Sequence, residues 1–383
     1  MRVTHVITRL IVGGAQENTI ASVLGLRQKA GIEVNLMAGP SSGPEGSLES
    51  VVAGFPGLLT LVPALVRPIH PWKDSLAWRR LTQVFRASQP DIVHTHSGKA
   101  GFLGRLAAAR AHVPVIIHTI HGPSFGPFAG PLANFLFRSA ERRAGKVTTH
   151  FVVVADAMRR QYLDAGIGRP EIFTKIFSGF ALGPCLSAVN SSEARASLGL
   201  KRDDVVVGKI ARLFKLKGHA DLLAAAPALV KACPHMKFLL VGDGPWRPRF
   251  EDQVQALGLE NHFVFAGLVP PSSVPALLGV MDVVVHLSLR EGLARALPQA
   301  LAAARPIVAY DCDGAREVCL DNETGFLLSP GDRAGLCDRL LRLARDPALR
   351  ERLGRRGRQF VQPLFSAEIM VDHLHQLYRR LRP

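Results

Sequence analysis

Ala211-Arg212-Leu213-Phe214-Lys215-Leu216-Lys217-Gly218 is a seam between two kinds of pattern. The apolar run Val205–Ala211 leads into it, and a helical pattern starts at its final glycine. Arg212 stands just after the apolar run and Lys217 five residues on, so both cations belong to a strand-to-helix turn. A second seam, Ser288-Leu289-Arg290-Glu291-Gly292-Leu293, follows the apolar run Val283–Leu287 and places Glu291 and a glycine at the mouth of another helix. A fixed guanidinium, a fixed ammonium and unpaired helix N-terminal amides together suit a doubly charged leaving group such as a diphosphate.

Working outward from these seams, apolar runs alternate with helical patterns along the chain. Strand-like runs fall at 3–8, 34–38, 58–62, 92–94, 115–119, 151–154 and 172–176, and the series restarts at 205–211, 238–241, 263–266, 283–287, 307–309 and 326–328. Helical stretches lie near 16–29, 74–87, 98–111, 130–143 and 156–165, then near 218–232, 247–257, 295–304 and 332–345. Unbroken apolar runs suit parallel strands covered on both faces. Two such series predict an α/β protein with two Rossmann-like, doubly wound domains facing across a cleft. Ser178–Leu200, with Gly179, Gly183, Pro184 and Ser191-Ser192, reads as the linker. The expected division is 1–180, 181–365 and a C-terminal amphipathic helix at 366–383 that could cross back to the first domain.

The 383 residues are enough for two cores, with 48% hydrophobic and 20% charged residues and a formal charge of +16. Residues 1–178 hold 20 basic and 10 acidic side chains, the rest 27 and 21. Such an excess fits nucleic acid, an anionic membrane face or phosphorylated substrates, and an arginine-rich composition also produces it. Nucleic acid is set aside, because the three tyrosines and three tryptophans are not interleaved with a basic stretch. The five scattered cysteines form no CxxC pair and no zinc-spaced cluster, which points to a reducing compartment. No signal-peptide pattern precedes the first strand, and the uncharged run is broken by Pro56 and Pro63. The expected location is therefore cytoplasmic, with peripheral contact at the inner membrane face left open. The absence of G-x-G-x-x-G after the first strand and of a P-loop removes dinucleotide dehydrogenases and P-loop NTPases.

Gly13-Gly14-Ala15 after the first strand, the Ala211–Gly218 segment, Val241-Gly242-Asp243-Gly244-Pro245 and Arg290-Glu291-Gly292 occur in an order that resembles the family 4 glycosyltransferases. His94-Thr95-His96-Ser97-Gly98-Lys99-Ala100-Gly101 and Thr119-Ile120-His121-Gly122 look like further signatures, so the likeness covers nearly the whole chain. The resemblance implies the GT-B fold and a retaining transfer from a nucleotide-diphosphate sugar, a UDP- or GDP-sugar. It implies catalytic roles for His121, Arg212, Lys217 and Glu291, with the two cations on the diphosphate and Glu291 and His121 toward the donor sugar. Gly13, Gly14, Gly242, Gly292, Leu293 and Gln299 are the implied donor-binding set. The family has a second glutamate after Glu291 and seven further residues, to hold the ribose; this chain has Gln299, whose amide oxygen accepts but cannot match a carboxylate.

On the acceptor side the candidates are His96, Lys99 and Glu17, with His94 read as structural. Asp311-Cys312-Asp313 imitates a metal-binding DxD triplet. With Arg212 and Lys217 supplying positive charge it is rejected as a metal site, and no cofactor or metal is expected. The family's front-face displacement, with the leaving phosphate helping to deprotonate the acceptor, is implied by resemblance, as is closure of both domains to exclude water. The acceptor is a glycan, a lipid-linked intermediate or a small molecule. The alternatives are a nucleotide-sugar 2-epimerase of the same architecture and a non-catalytic sugar-nucleotide binder.

Overall fold

The computed structural model describes residues 1–41, 45–126 and 128–382; Pro383, the last residue of the expected C-terminal segment, lies outside them. They fall into two compact units, Met1–Phe180 with Ser366 onward, and Ala181–Phe365.

In the first unit seven strands form one sheet: β1 (Arg2–Ile7), β2 (Glu33–Ala38), β3 (Leu59–Leu61), β4 (Ile92–His96), β5 (Val115–Ile120), β6 (His150–Val153) and β7 (Phe173–Lys175). Their order is β3-β2-β1-β4-β5-β6-β7, and every pairing is parallel. β4 and β5 are buried along their whole length, as covered parallel strands require. One face carries a core of Val3, Ile7, Ile92, Ile117 and the apolar side of the helix Ala367–Leu381. The other packs Val6, Val93 and Ile116 on Leu81, Phe85 and Leu103.

The helix Ala367–Leu381 is capped by the Ser366 hydroxyl, which accepts from the Ile369 amide at 3.1 Å. The Ala367 amide donates to the Phe180 carbonyl at 3.0 Å, tying the helix start to the end of the first stretch of chain. The apolar face of this helix is formed by Met370, Leu374 and Leu377, which are buried with Val371 and Tyr378. Each fully buried apolar side chain of this kind is worth roughly 1.5–3 kcal/mol.

The second unit has β8 (Val205–Ile210), β9 (Met236–Val241), β10 (Phe263–Gly267), β11 (Val283–His286), β12 (Ile307–Tyr310) and β13 (Gly325–Leu328). The order β10-β9-β8-β11-β12-β13, again all parallel, reverses direction between β8 and β11. Ligands of open α/β sheets bind beyond the strand C-termini at such a reversal, where the two flanking loops leave a crevice. Both seams quoted above are the loops at that point.

Three expectations need correction. Ser178–Leu200 is not an extended linker. The chain changes unit between Phe180 and Ala181, and helices at Leu182–Leu186 and Ser192–Ser197 follow at once. Buried Arg195 holds that region by donating to the carbonyls of Lys201, Asp204 and Val280. The fifteen-residue helix Pro347–Val361 was missed, because its arginine-rich exposed side hides the apolar positions Leu349, Leu353 and Val361. Finally, β4 runs two residues past the expected 92–94, so His96 also lies within the strand. Among the described residues no helix is long and apolar enough to cross a membrane.

Candidate active site

In the second unit the loop after β8 is held open by backbone geometry. Gly218 caps the helix His219–Ala232 with φ +70°, and a Cβ there would lie 1.9 Å from the Leu287 carbonyl oxygen. Only glycine permits both that conformation and that approach. The Leu289 amide donates to the Leu216 carbonyl at 2.8 Å, so the Arg212 and Glu291 loops are stitched together across the sheet reversal. Gly242 (φ +132°) ends β9 against the Ala211 carbonyl, 2.3 Å from where a Cβ would sit. Its close approach is to the β8 loop backbone, which explains the glycine without a donor contact.

On this frame Lys217 Nζ donates to Glu291 Oε1, and the pair is largely withdrawn from solvent. Burial alone would raise the Glu291 carboxyl; the Lys217 ammonium against it outweighs burial and holds the group below the usual carboxylate range. Two ammonium protons of Lys217 remain for another acceptor. Arg212 is exposed, its guanidinium 5.9 Å from the Phe214 ring centroid, with no carboxylate partner among the described residues. Both cations therefore keep capacity to receive an anion.

The DxD look-alike has structural work. Asp313 Oδ2 accepts from the Glu291 amide at 2.7 Å, and the Gly314 amide donates to the Gly292 carbonyl at 2.9 Å. Asp311 takes a bidentate contact from Arg316. Residues 311–314 thus form a splint behind the Glu291 loop. The helix after that loop begins at Ala296, not at Gly292. The amides of Gly292, Leu293 and Ala294 are accordingly not a helix terminus. They lie in an irregular segment, where none donates to a protein acceptor among the described residues. Gln299 sits inside the helix Ala296–Ala302, half-buried, its side-chain amide without a protein partner among the described residues.

Beneath this site are groups that sequence reading passed over. Lys209, on β8, is fully buried with no hydrogen-bond partner for Nζ. Burial first, then the charge of Lys217, lowers its ammonium to about 7 despite Glu291 and Asp221. His219 is buried with both ring nitrogens unpartnered, stacked on Phe250 at 5.1 Å, and burial holds it near 2. His286, at the end of β11, has Nε2 3.9 Å from Glu291 Oε1 and is lowered by burial to about 3, so it is neutral beside the carboxylate. The one sequence signal for Lys209 was a charge inside an apolar run.

In the first unit Gly13 caps the helix Gly14–Arg27 in extended backbone and Gly14 is its exposed first residue, at the C-terminal end of the β1 side of that sheet's own reversal between β1 and β4. Glu17 sits in the first turn, where a carboxylate favours the helix dipole. His121 follows β5, partly exposed, its Nε2 3.0 Å from His96 Nδ1. The acceptor assignment of His96 does not survive: the ring is buried and both nitrogens are engaged, Nε2 with His5 at 2.9 Å. Lys99 is also committed elsewhere. Its ammonium donates to the Pro68 carbonyl and, at 2.6 Å, to Asp74 Oδ1, strapping its helix to the start of the helix Pro71–Ser88. His94 is structural, bonded to Tyr378 and Thr119.

Comparison with known proteins follows the same two halves. A family model described as "Glycosyl transferase 4-like domain" matches residues 14–174, and one described as "Glycosyl transferases group 1" matches residues 190–360. The chain is 26% identical to the UDP-Gal:alpha-D-GlcNAc-diphosphoundecaprenol alpha-1,3-galactosyltransferase of Escherichia coli, over 99% of this chain and 96% of that protein. It is 24% identical to the capsular polysaccharide biosynthesis glycosyltransferase CapM of Staphylococcus aureus, over 82% of each. Among solved structures, Anabaena HepE in complex with UDP and glucose superposes with a TM-score of 0.84 at 21% identity, covering 99% of this chain and 100% of HepE.

Proposed function

The chain belongs to the family 4 glycosyltransferases, and from that premise we propose a retaining transfer of a sugar from a nucleotide-diphosphate sugar to the hydroxyl of a glycan or lipid-linked acceptor. The observation that carries this reading is the arrangement at the β8–β11 reversal: Arg212 open, Lys217 with two protons to spare, and Glu291 fixed by Lys217 and Asp313. The cations take the diphosphate and offset charge as the bond from sugar C1 to phosphate oxygen breaks. The acceptor oxygen forms the new bond to C1 on the same face, and its proton passes to the departing diphosphate. Glu291 faces the sugar hydroxyls.

Two relatives support the donor and acceptor classes. HepE was solved with UDP and glucose, and the E. coli relative is named for UDP-Gal and a diphosphoundecaprenol acceptor. A diphospholipid acceptor would place the protein at an anionic bilayer, for which the formal charge of +16 is suited. We propose that no metal takes part, since Asp311 and Asp313 are engaged by Arg316 and the Glu291 loop.

A thermal-shift panel of UDP, GDP, ADP and their sugar conjugates tests the donor class. One nucleotide family should raise the melting temperature of the wild type and fail to do so for Arg212→Ala. No shift with any nucleotide, or an undiminished shift in the variant, removes the donor site. Lys217→Ala should lower turnover far more than Gln299→Ala, because only the former loses charge at the leaving group. Equal losses in steady-state kinetics would remove that division of roles.

A further inference from the structure

The first unit contains a buried string of hydrogen bonds that ends on His121. Thr119 Oγ1 meets His94 Nε2 at 2.6 Å, and His94 Nδ1 meets the Tyr378 hydroxyl at 2.5 Å. The same hydroxyl lies 3.3 Å from His5 Nε2; His5 Nδ1 is 2.9 Å from His96 Nε2; and His96 Nδ1 is 3.0 Å from His121 Nε2. Strand register builds it. His5 pairs with His94 across β1 and β4, and His96 pairs with Thr119 across β4 and β5. Alternation along β4 then turns His94 and His96 to one face, the face on which Tyr378 packs.

A neutral imidazole has one donor and one acceptor, so such a string has a direction. Burial lowers all four histidines, and the rings stay neutral at physiological pH. Two arrangements are self-consistent, with every proton pointing toward His121 or every proton pointing away. Thr119 decides between them. Its hydroxyl is buried, and His94 is its one hydrogen-bond partner among the described residues. If His94 donated to it, the hydroxyl proton would be left buried without an acceptor, at a cost of roughly 1–3 kcal/mol. Thr119 therefore donates. His94 then donates from Nδ1 to Tyr378, Tyr378 to His5, His5 from Nδ1 to His96, and His96 from Nδ1 to His121.

We propose that this relay, governed by Thr119 and Tyr378, fixes His121 as the Nδ1–H tautomer, so that the ring presents a hydrogen-bond donor at the end left outside the string. The inference rests on the reading above that His121 serves the sugar donor: an Nδ1–H group would be a donor to a sugar or phosphate oxygen and not a base. Thr119, His94, Tyr378, His5 and His96 are positioning residues in this scheme. The nitrogens of His5, His94 and His96 lie within 4.8 Å of one another, as metal ligands do. However, all six ring nitrogens already have hydrogen-bond partners, and the rings of His94 and His96 are stacked at 4.4 Å rather than converging on a point.

The test is long-range proton–nitrogen NMR on full-length protein labelled with ¹⁵N-histidine, assigned by single histidine substitutions, beside a metal analysis of the purified protein. The four rings should all be neutral and carry the proton on Nδ1. In Tyr378→Phe, His5, His96 and His121 should lose that single form and give averaged signals, while His94 keeps it; Thr119→Val should release His94 as well. An Nε2–H or doubly protonated ring at any of the four wild-type positions overturns the proposal. So does stoichiometric bound metal, or a Tyr378→Phe protein whose three signals do not move. If either variant fails to fold, the wild-type tautomers decide the matter alone. The spectra need no substrate: the expected tautomers in a protein that binds no sugar nucleotide would uphold the relay while removing the transferase reading of His121.

Discussion

Replacing Lys209 with methionine should stabilise the second unit, by an amount that depends on pH. The side chain is fully buried and Nζ has no hydrogen-bond partner, so its charge is a cost that Glu291 and Asp221 only partly offset and that a methionine of similar length would not incur. The ammonium falls from the ordinary 10.5 to about 7. At pH 6 both folded and unfolded chains hold the proton, and the folded state carries the full cost of burying it, about 5 kcal/mol at 1.36 kcal/mol per unit. Between pH 7 and 10.5 the unfolded chain binds more protons than the folded one, so wild-type stability rises with pH through that window. At pH 9 about 2 kcal/mol of the cost remains. The advantage of Lys209→Met over wild type should therefore shrink by about 3 kcal/mol between pH 6 and pH 9. Urea unfolding followed by Trp246 fluorescence, in a Trp72→Phe/Trp78→Phe background, isolates the second unit. An advantage that does not change with pH would show that Lys209 is not charged at the cost described. A destabilised variant at pH 6 would show that the ammonium has a partner worth more than its desolvation.

Glu141→Gln should cost the first unit about 3–5 kcal/mol, because it strips the buried Arg105 guanidinium of a carboxylate held at 2.7 Å; chemical denaturation of the variant measures it, and a loss under about 1 kcal/mol would place Arg105 among ordinary surface pairs. Gly218→Ala should abolish nucleotide binding and unfold at lower temperature, since the new methyl meets the Leu287 carbonyl, while Gly183→Ala, with nothing within 4 Å, should match wild type. Asp313→Ala frees the Glu291 amide and should raise the KM for the sugar donor while leaving the melting temperature within a few degrees; a variant with unchanged kinetics would deny the splint behind the loop. Activity should persist undiminished in excess chelator, and a loss restored by a divalent cation would reverse the reading of Asp311 and Asp313.

Strand positions were legible because covered parallel strands are written as short unbroken apolar runs, and each run became a strand with ends shifted by a residue or two. Helices with mixed surfaces were less so. In Pro347–Val361 an arginine-rich exposed side hides the apolar positions, and the small Gly354 and Gly357, which weaken the helical pattern in sequence, let the helix lie on Ala304 and Leu301. The stretch after Phe180 read as a linker because glycine, proline and serine mark loops, whereas Arg195 there is a buried tie whose acceptors are supplied by distant carbonyls. At the site, Arg212, Lys217 and Glu291 could be found from local pattern, since each ends or follows a strand. The corrections came from partners that local pattern does not contain. Lys99 is claimed by Asp74 and His96 by His5. Lys209 looked like an interruption of an apolar run, when it is the charge under the run.

The first unit is assembled from both ends of the chain, with the whole second unit spliced between them. During synthesis, residues 1–180 emerge from the ribosome with the helix Gly14–Arg27 but without the second helix that covers the same face of their sheet. That face, with Ile7, Ile92 and Ile117, waits through the production of Ala181–Phe365 before Met370, Leu374 and Tyr378 arrive. The second unit, contiguous in the chain, has all its strands in hand and can fold first. The nascent protein thus matures out of order, with its amino-terminal half the last to be sealed. Loss of the helix Ala367–Leu381 would strand that half with an open apolar face, whatever the state of the second unit.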